Sequence, residues 1–285
     1  MSPVAIIGIG IGAFLAGYLV MLLTGHLLGS DKKTINRVEN MLKLLLLEKA
    51  SEMQEKDSGC KIVLKQISND ATVLKEAVVE YLGEENSKII SGLEIDQAID
   101  SFVQKLKELD NKKLEQNQII FFGDSLTENY DLSKLESDFS IYNQGIGGDM
   151  IVGLKHRLQR HVLEHSPKQL FIGIGSNDIA AGVSAAKISN EYRTLLDEIK
   201  RALPETQVLI QSVYPTTKAH YAKRPPERIE EVNAAIKNLA DEFGYIYIDV
   251  YSSLVKKFEQ ITDDGLHLTK QGYKKVTKIL QEYIK

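Results

Sequence analysis

The fold is decided by the stretch Gln118-Ile119-Ile120-Phe121-Phe122-Gly123-Asp124-Ser125, in which a short apolar run ends at a glycine. Such a run predicts a buried β-strand followed by a tight turn. Ser125 therefore lies at the carboxyl tip of a predicted strand, which is where open α/β sheets bind ligands. A helix beginning just after it, within residues 126–135, would favour negative charge that develops nearby. A single serine in such a turn is more often a helix cap than a nucleophile.

The sequence after this first strand alternates between strand and helix patterns. Apolar runs predict strands at residues 118–122, 139–142, 169–174, 208–213 and 245–250, and helical patterns cover 150–163, 185–202, 226–243 and 270–284. Gly244 fits the C-cap of the third helix, and Pro225 fits its start. This alternation predicts a parallel sheet with helices on both faces, that is, a three-layer, flavodoxin-like α/β fold.

Three further segments carry candidate functional groups: Asn143-Gln144-Gly145-Ile146-Gly147-Gly148-Asp149, Gly175-Ser176-Asn177-Asp178 and Asp264-Gly265-Leu266-His267. The glycines of the first allow close approach of the backbone to a ligand. Asn177 is either a turn former or a neutral donor to an oxyanion. Asp264 and His267 share one turn, so the carboxylate can orient the imidazole, although the adjacent Asp263 competes for that role.

An acyl-transfer site needs a nucleophilic hydroxyl, an imidazole base, an orienting carboxylate and donors for the oxyanion. Ser125, His267 and an aspartate beside it supply the first three groups, and Asn177 supplies a donor. Ser125 does not lie in the Gly-x-Ser-x-Gly elbow of α/β-hydrolases. Because the candidate groups occur together at predicted strand tips, the sequence indicates a serine hydrolase of another class.

In order and spacing, these segments resemble the GDSL or SGNH hydrolase family, whose pattern begins here with Gly123-Asp124-Ser125-Leu126. The resemblance covers residues 118–285. It implies the flavodoxin-like fold and identifies Gly148, just before an aspartate, as an amide donor to the oxyanion. The family pattern Asp-x-x-His favours Asp264 as the triad carboxylate. We expect no cofactor and no metal.

The chemistry that the resemblance implies is two-step ester hydrolysis. Ser125 attacks, His267 is the base and Asp264 its orienter, while the Ser125 and Gly148 amides and the Asn177 side chain hold the oxyanion. The Gly-Ile-Gly-Gly-Asp form looks like the branch related to platelet-activating-factor acetylhydrolase, which implies a short acyl group. Small-molecule, lipid and acetylated glycan esters all stay open as substrates. An O-deacetylase and an anchored interaction protein with a hydrolase-fold scaffold are the alternatives.

The amino terminus, residues 1–30, predicts a transmembrane anchor, because residues 4–23 are almost wholly apolar and about 20 such residues span a bilayer. A cleaved signal peptide is the rival interpretation, but no basic side chain precedes the apolar run. Basic residues flank it on the carboxyl side: Lys32, Lys33, Arg37 and Lys43. By the positive-inside rule, a single-pass protein with a cytoplasmic catalytic domain is expected. The opposite side is the alternative, since family members are often exported.

Residues 31–117 are charged and helical in pattern, which predicts a helical stalk or subdomain between the anchor and a hydrolase domain at 118–285. It is either a partner-binding module or a spacer. The stretch Leu44 to Leu47 predicts burial against another surface. Gly8, Gly12 and Ala16 recur every four residues and would let two anchors approach closely, so self-association through residues 1–117 is a further hypothesis.

Two other signals carry less weight. His161-Val162-Leu163-Glu164-His165 matches a zinc-peptidase pattern, but no third ligand is evident and histidines at a helix end are expected to face water. The loop at 214–228, with three prolines, is expected to shape the substrate pocket. The net charge of −4 argues against nucleic acid as a partner.

Overall fold

A computed structural model describes residues 77, 80, 81, 92–116 and 118–285 of the chain. The predicted anchor at 1–30, its glycine face and the leucine stretch at 44–47 lie outside the described residues. Across the described residues, no helix is both long and apolar enough to span a membrane.

Five parallel strands form one sheet in the order β2-β1-β3-β4-β5. They are β1 (Ile119–Gly123), β2 (Ile141–Gly145), β3 (Gln169–Gly173), β4 (Gln207–Gln211) and β5 (Ile246–Ile248). The strand order reverses between β1 and β3, and ligands bind beside the carboxyl ends of strands at such a point. Gly123, at the tip of β1, pairs with Gly145 on one side and Gly173 on the other, so three site segments emerge from adjacent strands.

The helices cover both faces of the sheet. They are α1 (Gly92–Asp110), α2 (Ser125–Glu128), α3 (Ile151–His161), α4 (Ser176–Ala180), α5 (Ala185–Ala202), α6 (Pro226–Phe243), α7 (Val250–Leu254) and α8 (Lys270–Gln281), with short 3-10 turns between several of them. Ile120 and Phe122 of β1 join the core formed with α3, α5 and α6. Ile119 and Phe121 face the other way, toward the core formed with α7 and α8. The alternation along β1 therefore accounts for two buried faces and confirms the predicted parallel α/β sheet.

Most predicted boundaries are confirmed within about two residues, and Gly244 ends α6 in the left-handed conformation, at φ 73°. The helix expected within 126–135 is present but shorter, since α2 ends at Glu128 and a 3-10 turn follows at Leu132–Lys134. Asn143 on β2 binds at this helix end, where its Nδ2 donates to the carbonyls of Thr127, Glu128 and Tyr130 at 2.7, 3.3 and 3.2 Å. Its amide thus satisfies carbonyls near the end of α2, which a helix leaves without i+4 partners.

The described residues belong to one compact unit, 67–285, that includes α1. Four apolar side chains on one stripe of α1 are buried: Phe102, Val103, Leu106 and Leu109. The Phe102 ring lies close to α3, since a Cβ placed on Gly153 would be 3.3 Å from it. The helix therefore buries its apolar stripe, as its spacing predicts.

Candidate active site

Ser125 is the first residue of α2, and the preceding Asp124 is the N-cap. The Asp124 carboxylate accepts a hydrogen bond from the Leu126 amide at 3.0 Å. Since this neighbour provides the cap, the serine hydroxyl is not used for capping, and the helix-cap interpretation of Ser125 is wrong. Its Oγ lies instead 3.0 Å from Nε2 of His267.

The residues from Asp264 to His267 form what we call the acid–base turn. Oδ2 of Asp264 lies 2.6 Å from Nδ1 of His267, and its Oδ1 accepts hydrogen bonds from the amides of Leu266 and His267 at 2.9 and 2.7 Å. Because an ionised carboxylate can only accept, Nδ1 carries the proton and Nε2 is left to accept from the Ser125 hydroxyl. Asp263 is exposed, and the carboxylate at the ring is that of Asp264.

The pKa of Asp264 is shifted by opposing effects. Burial acts to raise it, but the hydrogen bonds from the His267 ring and from the amides of His267 and Leu266 outweigh burial and hold the pKa below its ordinary value. The carboxylate therefore stays ionised through the neutral range and keeps the imidazole in one tautomer.

The loop between β4 and α6 holds the acid–base turn from outside. The amide of Thr217 donates to the Gly265 carbonyl at 2.9 Å, and His220 Nε2 lies 2.8 Å from the Asp264 carbonyl, which can only accept. Gly265 has a φ of 86°, and a Cβ there would lie 2.2 Å from the Thr217 hydroxyl. Glycine is therefore required where the turn and the loop meet.

Gly148, Asp149 and Asn177 form what we call the oxyanion side. Gly148 is exposed, with a φ of 77° that favours glycine. A Cβ on the neighbouring Gly147 would lie 3.9 Å from Cβ of Ser125, so this glycine segment runs beside the serine. Asn177 Nδ2 donates to the Asp149 carbonyl at 2.9 Å. Since an amide nitrogen has two hydrogens, a second remains for an oxyanion.

Arg224, in the loop before α6, fixes the orientation of Asn177. Its Nη2 donates to Oδ1 of Asn177 at 3.1 Å, and its Nε donates to the carbonyl and hydroxyl of Ser176, both at 3.0 Å. Burial lowers the pKa of this guanidinium, and the nearby Asp124 opposes that shift. No sequence signal identifies this residue beyond its place in the 214–228 loop, which is expected to shape the substrate pocket.

A buried ion pair underlies the glycine segment. Arg157 of α3 is fully buried and donates to Oδ2 of Asp149 at 2.9 Å, and to the carbonyls of Gln144 and Gly123 at 2.7 and 3.0 Å. Burial raises the pKa of Asp149 to about 7 against the lowering effect of Arg157. The guanidinium thus ties the tips of β1 and β2 together, a role the sequence did not predict.

His161 does not face water, and this expectation was wrong. Its side chain is buried, with Nε2 2.9 Å from Oδ1 of Asp110 and Nδ1 3.4 Å from Arg157. The reason is that α1 ends over the carboxyl end of α3 and brings Asp110 to the imidazole. Among the described residues, no group of three or more His, Cys, Asp or Glu side chains is placed to hold a metal ion.

A small cavity of about 20 Å³ lies beside the serine turn. Its lining residues include Asp124, Leu126, Gln211 and Tyr214. This volume has room for about one water molecule. Burial raises the pKa of Asp124 to about 6, so its carboxyl is less acidic than an exposed one.

The chain is similar in sequence to a known hydrolase family and to several of its relatives. The sequence profile of the GDSL-like lipase/acylhydrolase family matches residues 121–275, more than half of the chain. The thioesterase 1/protease 1/lysophospholipase L1 of Escherichia coli strain K12 is 27% identical over 161 residues, which are 52% of this chain and 74% of that protein. The platelet-activating factor acetylhydrolase IB subunit alpha2 of Homo sapiens is 26% identical over 185 residues, 60% of this chain and 78% of that protein.

Two further similarities differ in coverage. A candidate endoglucanase X of Acetivibrio thermocellus is 29% identical over 126 residues, 42% of this chain, and the match spans only 50% of that relative's length. A solved structure from Streptococcus pneumonia, described as a candidate platelet activating factor, superposes with a TM-score of 0.60 at 26% identity, covering 66% of this chain and 94% of that chain. The chain therefore belongs to the GDSL-like lipase/acylhydrolase family of ester-hydrolysing serine hydrolases.

Proposed function

We propose that this protein hydrolyses carboxylic esters with short acyl groups, using Ser125, His267 and Asp264 as a catalytic triad. The observation that carries the proposal is the continuous hydrogen-bonded line through these three side chains, at 3.0 Å from the hydroxyl to the imidazole and 2.6 Å from the imidazole to the carboxylate. Separations of this size are those expected of a nucleophile, its base and the base's orienter.

In the proposed mechanism, Ser125 Oγ attacks the ester carbonyl while Nε2 of His267 takes its proton. The amides of Ser125 and Gly148 and the side chain of Asn177 stabilise the oxyanion of the tetrahedral intermediate. The imidazolium then protonates the leaving alcohol, and an acyl-serine remains. Water, activated by the same imidazole, attacks the acyl-serine and releases the carboxylic acid and the free serine.

Support for a short acyl group comes from the relatives of this chain. One relative is named as an acetylhydrolase subunit, and its match reaches further along this chain than that of the lysophospholipase, 60% against 52%. A lipid ester with a short acyl group and a soluble ester both satisfy these observations.

The test is hydrolysis of p-nitrophenyl acetate, butyrate and octanoate by the full chain beside its Ser125→Ala variant. Ser252→Ala, which alters an exposed serine of α7, is the matched control. We expect turnover that falls with chain length, is unaffected in the control and is lost on Ser125→Ala. Ser125→Ala, His267→Ala and the double variant should lose similar factors, since the two residues act as a unit. A folded parent without turnover would favour the interaction-protein alternative.

The O-deacetylase alternative shares all of this chemistry and differs only in the alcohol that leaves. Release of acetate from acetylated glycans, measured beside release of fatty acid from a lysophospholipid, separates a glycan deacetylase from a lipid esterase. Activity on the lysophospholipid with none on acetyl esters would sink the short-acyl proposal.

For location, we propose that residues 1–30 anchor the protein in the membrane with the catalytic domain on the cytoplasmic side. The support is the uncharged apolar run and the basic residues that follow it. Deleting residues 2–30 should release the protein from washed membranes, and protease added to intact cells should leave the catalytic domain uncut. Self-association through the anchor is also proposed, and a Gly12→Leu variant that associates as well as the parent would argue against it.

A further inference from the structure

Helical residues that precede the sheet make contacts with the oxyanion side of the site. Tyr81 is buried, and its hydroxyl donates to Oδ1 of Asp178 at 2.7 Å. The same Oδ1 accepts from the amide of Ile151, the first residue of α3, at 3.2 Å. Asp178 follows Asn177 directly, so the Tyr81 hydroxyl helps to fix the segment that presents the oxyanion amide against the start of α3.

The phenol of Tyr81 is well suited to this contact. Burial, followed by the neighbouring Asp178 charge, raises its pKa well above the ordinary value, so the hydroxyl remains a donor. Lys187 of α5 lies 5.1 Å from the centre of its ring and donates to the Glu80 carbonyl at 3.3 Å. Lys187 of α5 thus contacts Tyr81 and the residue before it, while the Tyr81 hydroxyl donates to Asp178.

A second contact runs from α1 to the glycine segment. Lys105 Nζ lies 3.0 Å from Oε1 of Glu128, and Oε2 of the same carboxylate accepts from the Gly147 amide at 2.7 Å. Glu128 ends α2, the short helix that begins at Ser125. Lys105 therefore orients a carboxylate that links the serine helix to the glycine beside the proposed oxyanion donor Gly148.

A third contact joins the end of α1 to the buried ion pair. Asp110 lies 2.9 Å from Nε2 of His161, whose Nδ1 is 3.4 Å from Arg157, and Arg157 in turn binds Asp149. Tyr81, Lys105 and Asp110 all precede the sheet in the chain. Each is connected, through one to three polar contacts, to a residue that belongs to the oxyanion side or adjoins it.

We propose that Tyr81 and the helix α1 are part of the catalytic unit, with Tyr81 and Lys105 as positioning residues that hold Asn177 and the glycine segment in the orientation that binds the oxyanion. This inference rests on the proposed function. For Tyr81 and α1, it sets a role in the reaction beside the spacer and partner-binding interpretations. Neither residue touches the reacting atoms, and both act through the segments that carry the donors.

The consequence for kinetics is specific. The oxyanion forms only along the reaction path, so a misplaced donor lowers kcat and leaves KM nearly unchanged. A hydrogen bond to a buried carboxylate is among the stronger ones in a protein, so Tyr81→Phe should lower kcat by about tenfold. The Lys105–Glu128 pair is partly exposed, at 31% and 29% of the two side chains, so Lys105→Met should lower kcat by about threefold.

The experiment uses the full chain and p-nitrophenyl acetate. Tyr192→Phe is the control for Tyr81→Phe, because it removes a buried hydroxyl that makes no hydrogen bond within the described part of the chain. Lys107→Met, two residues along α1 and exposed, is the control for Lys105→Met. Lys105→Arg keeps the ion pair and should keep the parental rate. Each variant's melting temperature is measured, and rates are taken well below it.

The deciding measurement combines Tyr81→Phe with Asn177→Ala. If Tyr81 acts through Asn177, its substitution should cost nothing further once the amide is gone. Equal losses in the presence and absence of Asn177 would make Tyr81 a general contributor to stability and would overturn the proposal, as would a Tyr81→Phe rate equal to that of Tyr192→Phe. If Tyr81→Phe does not fold, the Lys105→Met and Lys105→Arg pair decides, and equal rates for both overturn the proposal. Retained turnover in Ser125→Ala would instead refute the proposed function itself.

Discussion

The acid–base turn and the oxyanion side are stabilised in different ways. In the turn, one carboxylate, Asp264, bonds two amides and one ring within three residues of itself, and it is 52% exposed. On the oxyanion side, Asp149 and the adjoining Asp178 are buried, and their partners Arg157 and Tyr81 come from other elements. The Asp264 carboxylate depends on local contacts, whereas the oxyanion side depends on contacts between segments far apart in the chain.

This difference indicates where each kind of change should act. A substitution of the Asp264 carboxylate should remove one chemical role with little effect on the fold, because its bonds are local and solvated. A substitution on the oxyanion side changes a buried polar network, so rate and stability should change together.

The largest effect is expected for Asp264→Asn. The asparagine can present an NH2 to the imidazole and favour the wrong tautomer, and in another serine triad the same change costs about 10⁴ in kcat. Here we expect a loss of about 10³ to 10⁴ with little change in melting temperature. Esterase kinetics and thermal unfolding check both parts. Asp263→Asn is the matched control. A similar loss of kcat in that variant would contradict the assignment of the carboxylate role to Asp264.

Asn177→Ala should have the next largest effect. Removing one oxyanion donor costs on the order of 100- to 1000-fold in kcat. The asparagine also bonds Asp149 and Arg224, so its loss should lower the melting temperature as well, unlike Asp264→Asn. Asn190→Ala, on the exposed side of α5, is the control. A folded Asn177→Ala protein with the parental rate would remove this side chain from the mechanism.

Arg224→Met tests the orientation of that amide. Without the guanidinium, the Asn177 amide loses the partner that holds its oxygen away from the oxyanion, and kcat should fall by about tenfold at unchanged KM. Arg224→Lys keeps the charge but not the paired donors of the guanidinium, so its kcat should lie between those of the parent and the methionine variant. Arg201→Met, at an exposed arginine of α5, should match the parent. Equal activity for Arg224→Met and Arg201→Met would contradict the role.

The smallest effect concerns stability and pH. Burial raises the pKa of Asp178 to about 6, above the value of about 3.9 in an unfolded chain. Between these values the folded protein keeps a proton that the unfolded chain has lost, so stability falls as pH rises through this window. Asp178→Asn removes that dependence, so its free energy of unfolding relative to the parent should rise by up to about 3 kcal/mol between about pH 4 and pH 7.

Urea unfolding at both pH values measures this difference, with the exposed Asp241→Asn as control. Asp264 should show a small dependence of the opposite sign, because its pKa is lowered and its carboxylate is half exposed: its contribution is present above the unfolded value and is lost as pH falls through the folded one. A pH-independent difference for Asp178→Asn would mean that the carboxyl is not desolvated as described.

The sequence by itself determined the parallel sheet, the helices at 185–202 and 226–243, and the order of the four site segments. These follow from hydrophobic period and from glycine and proline positions, which act over a few residues. The pairing of Asp264 with His267 could be predicted for the same reason, since both lie on one turn. The family pattern then chose Asp264 over Asp263, and the hydrogen bond lies where that choice put it.

Only the tertiary structure decided the rest. Asn143 of β2 donates to a carbonyl at the end of α2. Arg224 orients Asn177, 47 residues away in the chain, and Tyr81 donates to Asp178, 97 residues away. Such partners share no periodicity or spacing in the chain. They are selected because buried carboxylates, amides and carbonyls must find hydrogen-bond partners wherever the packed elements bring them, and that requirement acts in space rather than along the sequence.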